Sequence, residues 1–149
     1  QPDWLGSPRW AMTSLILMSL WTVGGATVIY IAALRDVPRT LYEAAALDGV
    51  ARLGRAWHIT LPLISPAILF NTVIALIGSL QVFAAPYVMT RGGPDFATYF
   101  YTMYVYANAF SYGRMGYASA LAWIQFLLIL CITAGFFALV RRSVHYRAV

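Results

Sequence analysis

Residues 116–140 read GYASALAWIQFLLILCITAGFFALV, twenty-five residues without one charged side chain. At about 1.5 Å of rise per residue, such a run crosses a hydrocarbon core of roughly 30 Å as a single helix. Two further runs have the same character. One is WAMTSLILMSLWTVGGATVIYIAAL at 10–34, flanked by Arg9 and Arg35; the other is PAILFNTVIALIGSLQVFAAPYVMT at 66–90. Three spans with two intervening loops predict an all-α polytopic membrane helix bundle, and residues 1–149 read as one membrane region without a soluble domain. The composition agrees: 61% of residues are hydrophobic and only 10% charged, against a charged share of roughly a quarter in soluble domains.

The net charge of +5 does not point to nucleic acid, because the cations flank apolar runs and do not cluster on a polar face. All ten basic residues are Arg. The phosphate-binding loop GxxxxGK[ST] requires a Lys, so the chain is expected to hold neither that nucleotide site nor any cofactor of its own. Cys131 is the single cysteine and lies inside an apolar run. It is expected to be a small buried hydrophobe, with no intramolecular disulfide or thiolate metal cluster available to it. The chain opens on Gln1 without a signal-peptide pattern and has an odd number of spans. The expectation is the C-terminal part of a longer protein.

Cytoplasmic loops retain Arg and Lys during insertion. The side that holds 35–65 and the C-terminal tail carries Arg35, Arg39, Arg52, Arg55, Arg141, Arg142 and Arg147, and the other side carries Arg9, Arg91 and Arg114. Seven against three places 35–65 and the C-terminus in the cytoplasm. Residues 91–115 then lie outside, where Gly92-Gly93-Pro94 makes a turn and the Tyr- and Phe-rich stretch 99–110 fits an interfacial helix.

The charged loop between the first two spans contains EAAALDGVARLGRAWHITLP at 43–62. Its spacing predicts two short helices broken at Asp48-Gly49, a pair suited to a helix end because Gly accepts positive φ. Val50, Leu53, Trp57 and Leu61 recur on one side of the second piece, with Arg52 and Arg55 on another. Thr40 and Glu43 fit a capping box. The amphipathic pattern alone is compatible with a segment lying on anionic membrane lipid or with one docking on a partner.

The spacing narrows this. Glu43-Ala44-Ala45, Gly49, Ile59, Leu61 and Pro62 reproduce EAA-x3-G-x9-I-x-LP, and the segment resembles the EAA loop of permease subunits of bacterial binding-protein-dependent ABC importers. The flanks RDVPRTLYEAAALDGV, HITLPLISP, YVMTRGGP and NAFSYGRMGYASALAW resemble the carbohydrate-uptake branch, that of maltose and glycerol-phosphate permeases. One departure stands out. Where many relatives have QVFDxxY, this chain reads Gln81-Val82-Phe83-Ala84-Ala85-Pro86-Tyr87, so a role attached to that acid does not carry over.

The resemblance implies a multi-pass subunit of the bacterial inner membrane that forms part of the path for a sugar or polyol. Its implied partners are an ATP-hydrolysing subunit dimer that binds the ATP, a second and different permease subunit, an extracytoplasmic substrate-binding protein and membrane lipid. Glu43, Ala44, Ala45, Gly49, Arg52, Arg55, Ile59, Leu61 and Pro62 would form the coupling loop, with Glu43 and Gly49 its most sensitive positions. Within the spans, Asn71, Ser79, Gln81 and Tyr87 are the candidate path residues, since polar groups in a membrane face protein or water; helix packing accounts for Asn71 and Gln81 equally well. An importer of amino acids or phosphate shares the EAA pattern and is the alternative. An integral-membrane enzyme is the least favoured reading: His58 and His145 stand singly, and neither HExxH nor GxSxG occurs.

Overall fold

A computed structural model describes residues 3–140. Arg141, Arg142, Arg147 and His145, used above for orientation and chemistry, lie outside the described residues. Helix α1 (Pro8–Ser19) passes through a 3-10 turn (Leu20–Thr22) into α2 (Val23–Arg35). After α3 (Arg39–Leu47) come α4 (Arg52–Arg55), a π turn (Ala56–Thr60) and α5 (Leu61–Leu80). Then follow α6 (Ala84–Met89), α7 (Tyr101–Tyr106) with a π turn (Ala107–Ser111), and α8 (Met115–Val140). No strand occurs among the described residues. Among the described residues three segments are long and apolar enough to cross a membrane: Pro8–Arg35, Arg52–Met89 and Met115–Val140, with mean hydropathies of 1.9, 2.0 and 2.3. The all-α polytopic architecture expected from the sequence is observed.

The described chain forms two compact units, residues 3–22 with 76–133 and residues 23–75 with 134–140. In the first, Ala11 and Leu15 of α1, Met103 of α7, and Ala118, Leu121 and Ile129 of α8 are buried. Few apolar side chains are buried there, and lipid supplies little hydrophobic force between helices, so hydrogen bonds between elements matter more than in a soluble core. Tyr101 donates its phenol to the Leu121 carbonyl at 3.0 Å. The loop after α6 closes on Thr98, fully buried, whose hydroxyl lies 2.6 Å from that of Thr90 and donates to Gly93 O at 2.8 Å. In the second unit, Val37, Ala45, Leu69 and Asn71 are buried.

Three expectations are corrected. The helix that carries the second span, expected over 66–90, begins earlier, because α4, the π turn and α5 run on without a break, so the second half of the helix-turn-helix is continuous with that helix. Two prolines fall within this stretch. The π turn gives Leu61 N–H a partner in Ala56 O, and the Ser65 hydroxyl donates at 2.7 Å to the Pro62 carbonyl, which Pro66, lacking an N–H, cannot serve. The same span is interrupted at 81–83, between α5 and α6. Finally, Cys131 is exposed on α8, not buried, because α8 turns only three residues inward, Ala118, Leu121 and Ile129.

Candidate functional site

Pro38, with φ −62° and ψ 131°, sets an extended entry and starts α3 at Arg39. Thr40 therefore already sits in the first turn, and no side-chain cap forms. The capping box expected from Thr40 and Glu43 is absent because the proline moved the helix start two residues upstream. At the other end the fit is close. Gly49 has φ +71° and donates to Ala46 O at 3.2 Å, and Val50 N–H donates to Ala45 O at 3.0 Å. These two bonds are the Schellman closure of a helix, which a left-handed residue makes possible. A Cβ on Gly49 would meet nothing within 4 Å. The glycine is thus required by its backbone angle and not by crowding.

Past the turn, Arg55 Nε donates to Val50 O at 3.0 Å and His58 Nδ1 lies 2.9 Å from Gly54 O. The Tyr42 phenol lies 2.8 Å from the Thr60 hydroxyl and ties α3 to the π turn. Tyr42, Arg52, Arg55, Ala56 and Thr60 line a cleft of about 180 Å³. Ala45 is buried and Arg55 and Ile59 are half-buried, whereas Glu43, Ala44, Gly49, Arg52 and Leu61 are exposed; Pro62 is half-buried inside the helix. Large apolar side chains point away from the unit: Leu47 is 90% exposed, Leu53 76% and Trp57 64%. Tyr42 and Thr60 were not singled out in the sequence, since neither carries charge nor periodicity.

The candidate path residues divide between the two units. Asn71, in the second, is buried and donates to Ala67 O of its own helix at 3.0 Å. Ser79, Gln81 and Tyr87 belong to the first. Ser79 returns its hydroxyl to Leu76 O at 2.8 Å. Gln81 is exposed at the interruption, its N–H turned to Gly78 O at 3.2 Å. Carbonyls freed by the interruption are taken by side chains from elsewhere: Gln125 Nε2 donates to Leu80 O at 3.0 Å, and the Thr102 hydroxyl donates to Val82 O. Beyond it Phe83 and Tyr87 stack with ring centroids 4.9 Å apart, both meet Tyr106 at 5.1 Å, and Tyr106 meets Phe110 at 5.0 Å. The neighbouring Tyr87 phenol, with desolvation adding to its effect, holds the Tyr106 phenol above its ordinary value. Tyr106 and Phe110 were missed in the sequence, although their i, i+4 spacing mirrors that of Phe83 and Tyr87.

The model of one protein family, described as the binding-protein-dependent transport system inner membrane component, matches residues 3–145. The chain belongs to that family. This inner-membrane component is 37% identical over 147 residues to the probable ABC transporter permease protein YesP of Bacillus subtilis (strain 168), covering 97% of the chain and 48% of the relative. It is 40% identical over 139 residues to the sulfoquinovosyl glycerol transport system permease protein SmoG of Agrobacterium fabrum, covering 93% of the chain and 45% of SmoG. It thus spans about half the length of these curated relatives. Among solved structures it is similar to a chain in the crystal structure of a bacterial ABC transporter involved in the import of the acidic polysaccharide alginate. The TM-score is 0.84 at 27% identity, over 95% of this chain and 50% of that one. Family and relatives are transport permeases and not enzymes, and membership together with three apolar segments makes this a multi-pass inner-membrane protein.

Proposed function

We propose that this inner-membrane component is part of the permease of an ABC importer for a sugar or sugar derivative, and that residues 39–62 receive the motion of a separate ATP-hydrolysing subunit. Similarity to SmoG, to the lactose permease protein LacF of Rhizobium radiobacter and to the trehalose/maltose permease protein MalF of Thermococcus litoralis supports the substrate class. The observation that carries the coupling reading is the exposure of Leu47, Leu53 and Trp57 around a closed, glycine-pinned helix end. A lever needs rigidity and an apolar surface to seat it, and exposed apolar groups of this size call for a cover.

Under this reading the segment 35–65 and the C-terminus face the cytoplasm, Glu43 and Arg52 fix the register on an ATPase dimer, and a second, different permease and a secreted binding protein complete the importer. Ser79, Gln81 and Tyr87 contribute to the path, while Asn71, bonded to its own helix, serves packing. ATP is held by the partner and no cofactor by this chain. The test is uptake by cells or vesicles carrying the complete importer, assayed with radiolabelled disaccharides, a polyol phosphate, an amino acid and phosphate. ATP-dependent uptake of a carbohydrate alone is expected; uptake of the amino acid or of phosphate instead would overturn the substrate class.

A further inference from the structure

The cleft lined by Tyr42, Arg52, Arg55, Ala56 and Thr60 lies wholly within the second unit, and a lever needs no such recess. Two of its lining residues are Arg and none is acidic. Three apart on α4, Arg52 and Arg55 are neighbours on one helix face and repel each other. Among the described residues neither guanidinium has a carboxylate partner, and Glu43 and Asp48, the acids nearest to them in sequence, are both exposed.

Arg55 is half-buried, and its Nε donates to the Val50 carbonyl at 3.0 Å. That bond fixes the side chain and leaves its two Nη groups for another acceptor. A guanidinium held in advance loses little freedom on binding. Arg52 is exposed and brings its whole fork. The Tyr42 and Thr60 hydroxyls, 2.8 Å apart, serve each other and bound the cleft. At about 180 Å³ it is smaller than the roughly 300–1,000 Å³ that encloses a whole small molecule. It therefore takes a group of a few atoms and not a nucleoside. A carboxylate brings one charge, whereas a phosphate monoester brings about 1.5–2 charges and three acceptor oxygens, the better match to two unpaired guanidinium groups.

We infer that the cleft between Arg52 and Arg55, beside Tyr42 and Thr60, is a binding site for a phosphate group. Free phosphate and a phosphorylated lipid headgroup share this chemistry. Tyr42 belongs to α3 and the two Arg residues to the helix past the turn, so a phosphate held there sits beside the Tyr42–Thr60 tie and braces the junction. That consequence for transport rests on the coupling reading; the ligand chemistry does not. Arg52 is shared with the ATPase contact proposed above, which makes Arg55 the deciding residue.

The experiment treats the complete importer with phenylglyoxal, which modifies accessible guanidinium groups, and reads modification residue by residue by mass spectrometry. One arm adds inorganic phosphate to delipidated importer in phosphate-free detergent; the other uses lipid nanodiscs containing phosphatidic acid, without free phosphate. In at least one arm, modification of Arg52 and Arg55 is expected to slow about threefold once the ligand reaches twice its Kd, while Arg35 and Arg39, outside the cleft, keep their rates. Slowing in the first arm assigns the site to the free ion, and slowing in the second alone assigns it to the headgroup. Arg55→Lys keeps the charge and loses the fork, and should raise the phosphate concentration that protects Arg52 about tenfold. Arg52→Gln, at an exposed position, gives the same reading on Arg55 if Arg55→Lys, which also drops the Val50 bond, fails to fold. No slowing in either arm, or equal slowing of all four Arg residues, would overturn the site. So would shielding of Arg52 and Arg55 in detergent before any phosphate is added, the result of an ATPase carboxylate already filling the cleft. Each of these leaves the coupling reading standing, since that reading falls only if the ATPase subunit does not contact residues 39–62.

Discussion

The chain interrupts its helices at 48–51 and again at 81–83, and it closes the two gaps in opposite ways. At the first, every bond that shapes the turn is short in sequence: Gly49 to Ala46, Val50 to Ala45, Arg55 to Val50. At the second, the freed carbonyls of Leu80 and Val82 are taken by Gln125 and Thr102, at separations of 45 and 20 residues. A locally closed turn keeps its form whatever its neighbours do, as a lever must. A gap closed by distant side chains depends on how the helices are packed, and can respond when they move.

The sharpest way to break this contrast is at Gly49. Gly49→Val forces a β-branched residue to φ +71°, a region that costs a non-glycine residue about 1–2 kcal/mol. Because no side chain lies within 4 Å of the new Cβ, the damage is confined to the turn. Uptake by the complete importer should fall more than about tenfold while the subunit still reaches the membrane; wild-type uptake would deny the turn its role as a lever. Next comes Gln125→Leu, which orphans the Leu80 carbonyl. Interhelical hydrogen bonds of this kind contribute about 0.6–1.7 kcal/mol, so the melting temperature in detergent should drop. Adding Thr102→Val should cost less than the two single changes sum to if both hold one gap. Strict additivity would mean that the two bonds act independently.

The same contrast explains what could be read in advance. Asp48-Gly49 was legible because a helix end that needs positive φ announces itself through one residue type. The three spans were legible from length and lack of charge. The break at 81–83 was legible only in part: Pro86 has no N–H to serve the Val82 carbonyl four residues back, but the groups that take the freed carbonyls, Gln125 and Thr102, lie on other helices, which pattern on one helix cannot reveal. Thr40 misled for a related reason: its spacing to Glu43 suits a capping box, but Pro38 had already fixed the start. Tyr106 and Phe110 read as interfacial aromatics until the contacts to Tyr87 and Phe83 were seen.

A smaller effect sharpens the comparison from the other side. Tyr42→Phe removes the hydroxyl that meets Thr60 at 2.8 Å and is expected to lower stability by about 0.5–1 kcal/mol. If the turn is locally closed, coupling of uptake to ATP hydrolysis should survive this change. A loss as large as that of Gly49→Val would show that the α3 to π-turn tie, and not the Schellman closure, carries the rigidity.

The central claim is that residues 39–62 are the seat of the ATP-hydrolysing subunit, and Leu47, 90% exposed, tests it most directly. Cys131 is the single cysteine of this chain, so Cys131→Ser removes the one competing thiol within these residues for Leu47→Cys. Thiol cross-linking of the assembled importer in membrane vesicles should join this position to the ATPase subunit, in a yield that changes when ATP is added. Labelling of Leu47→Cys by an impermeant reagent from outside intact cells, with no ATPase cross-link, would contradict it.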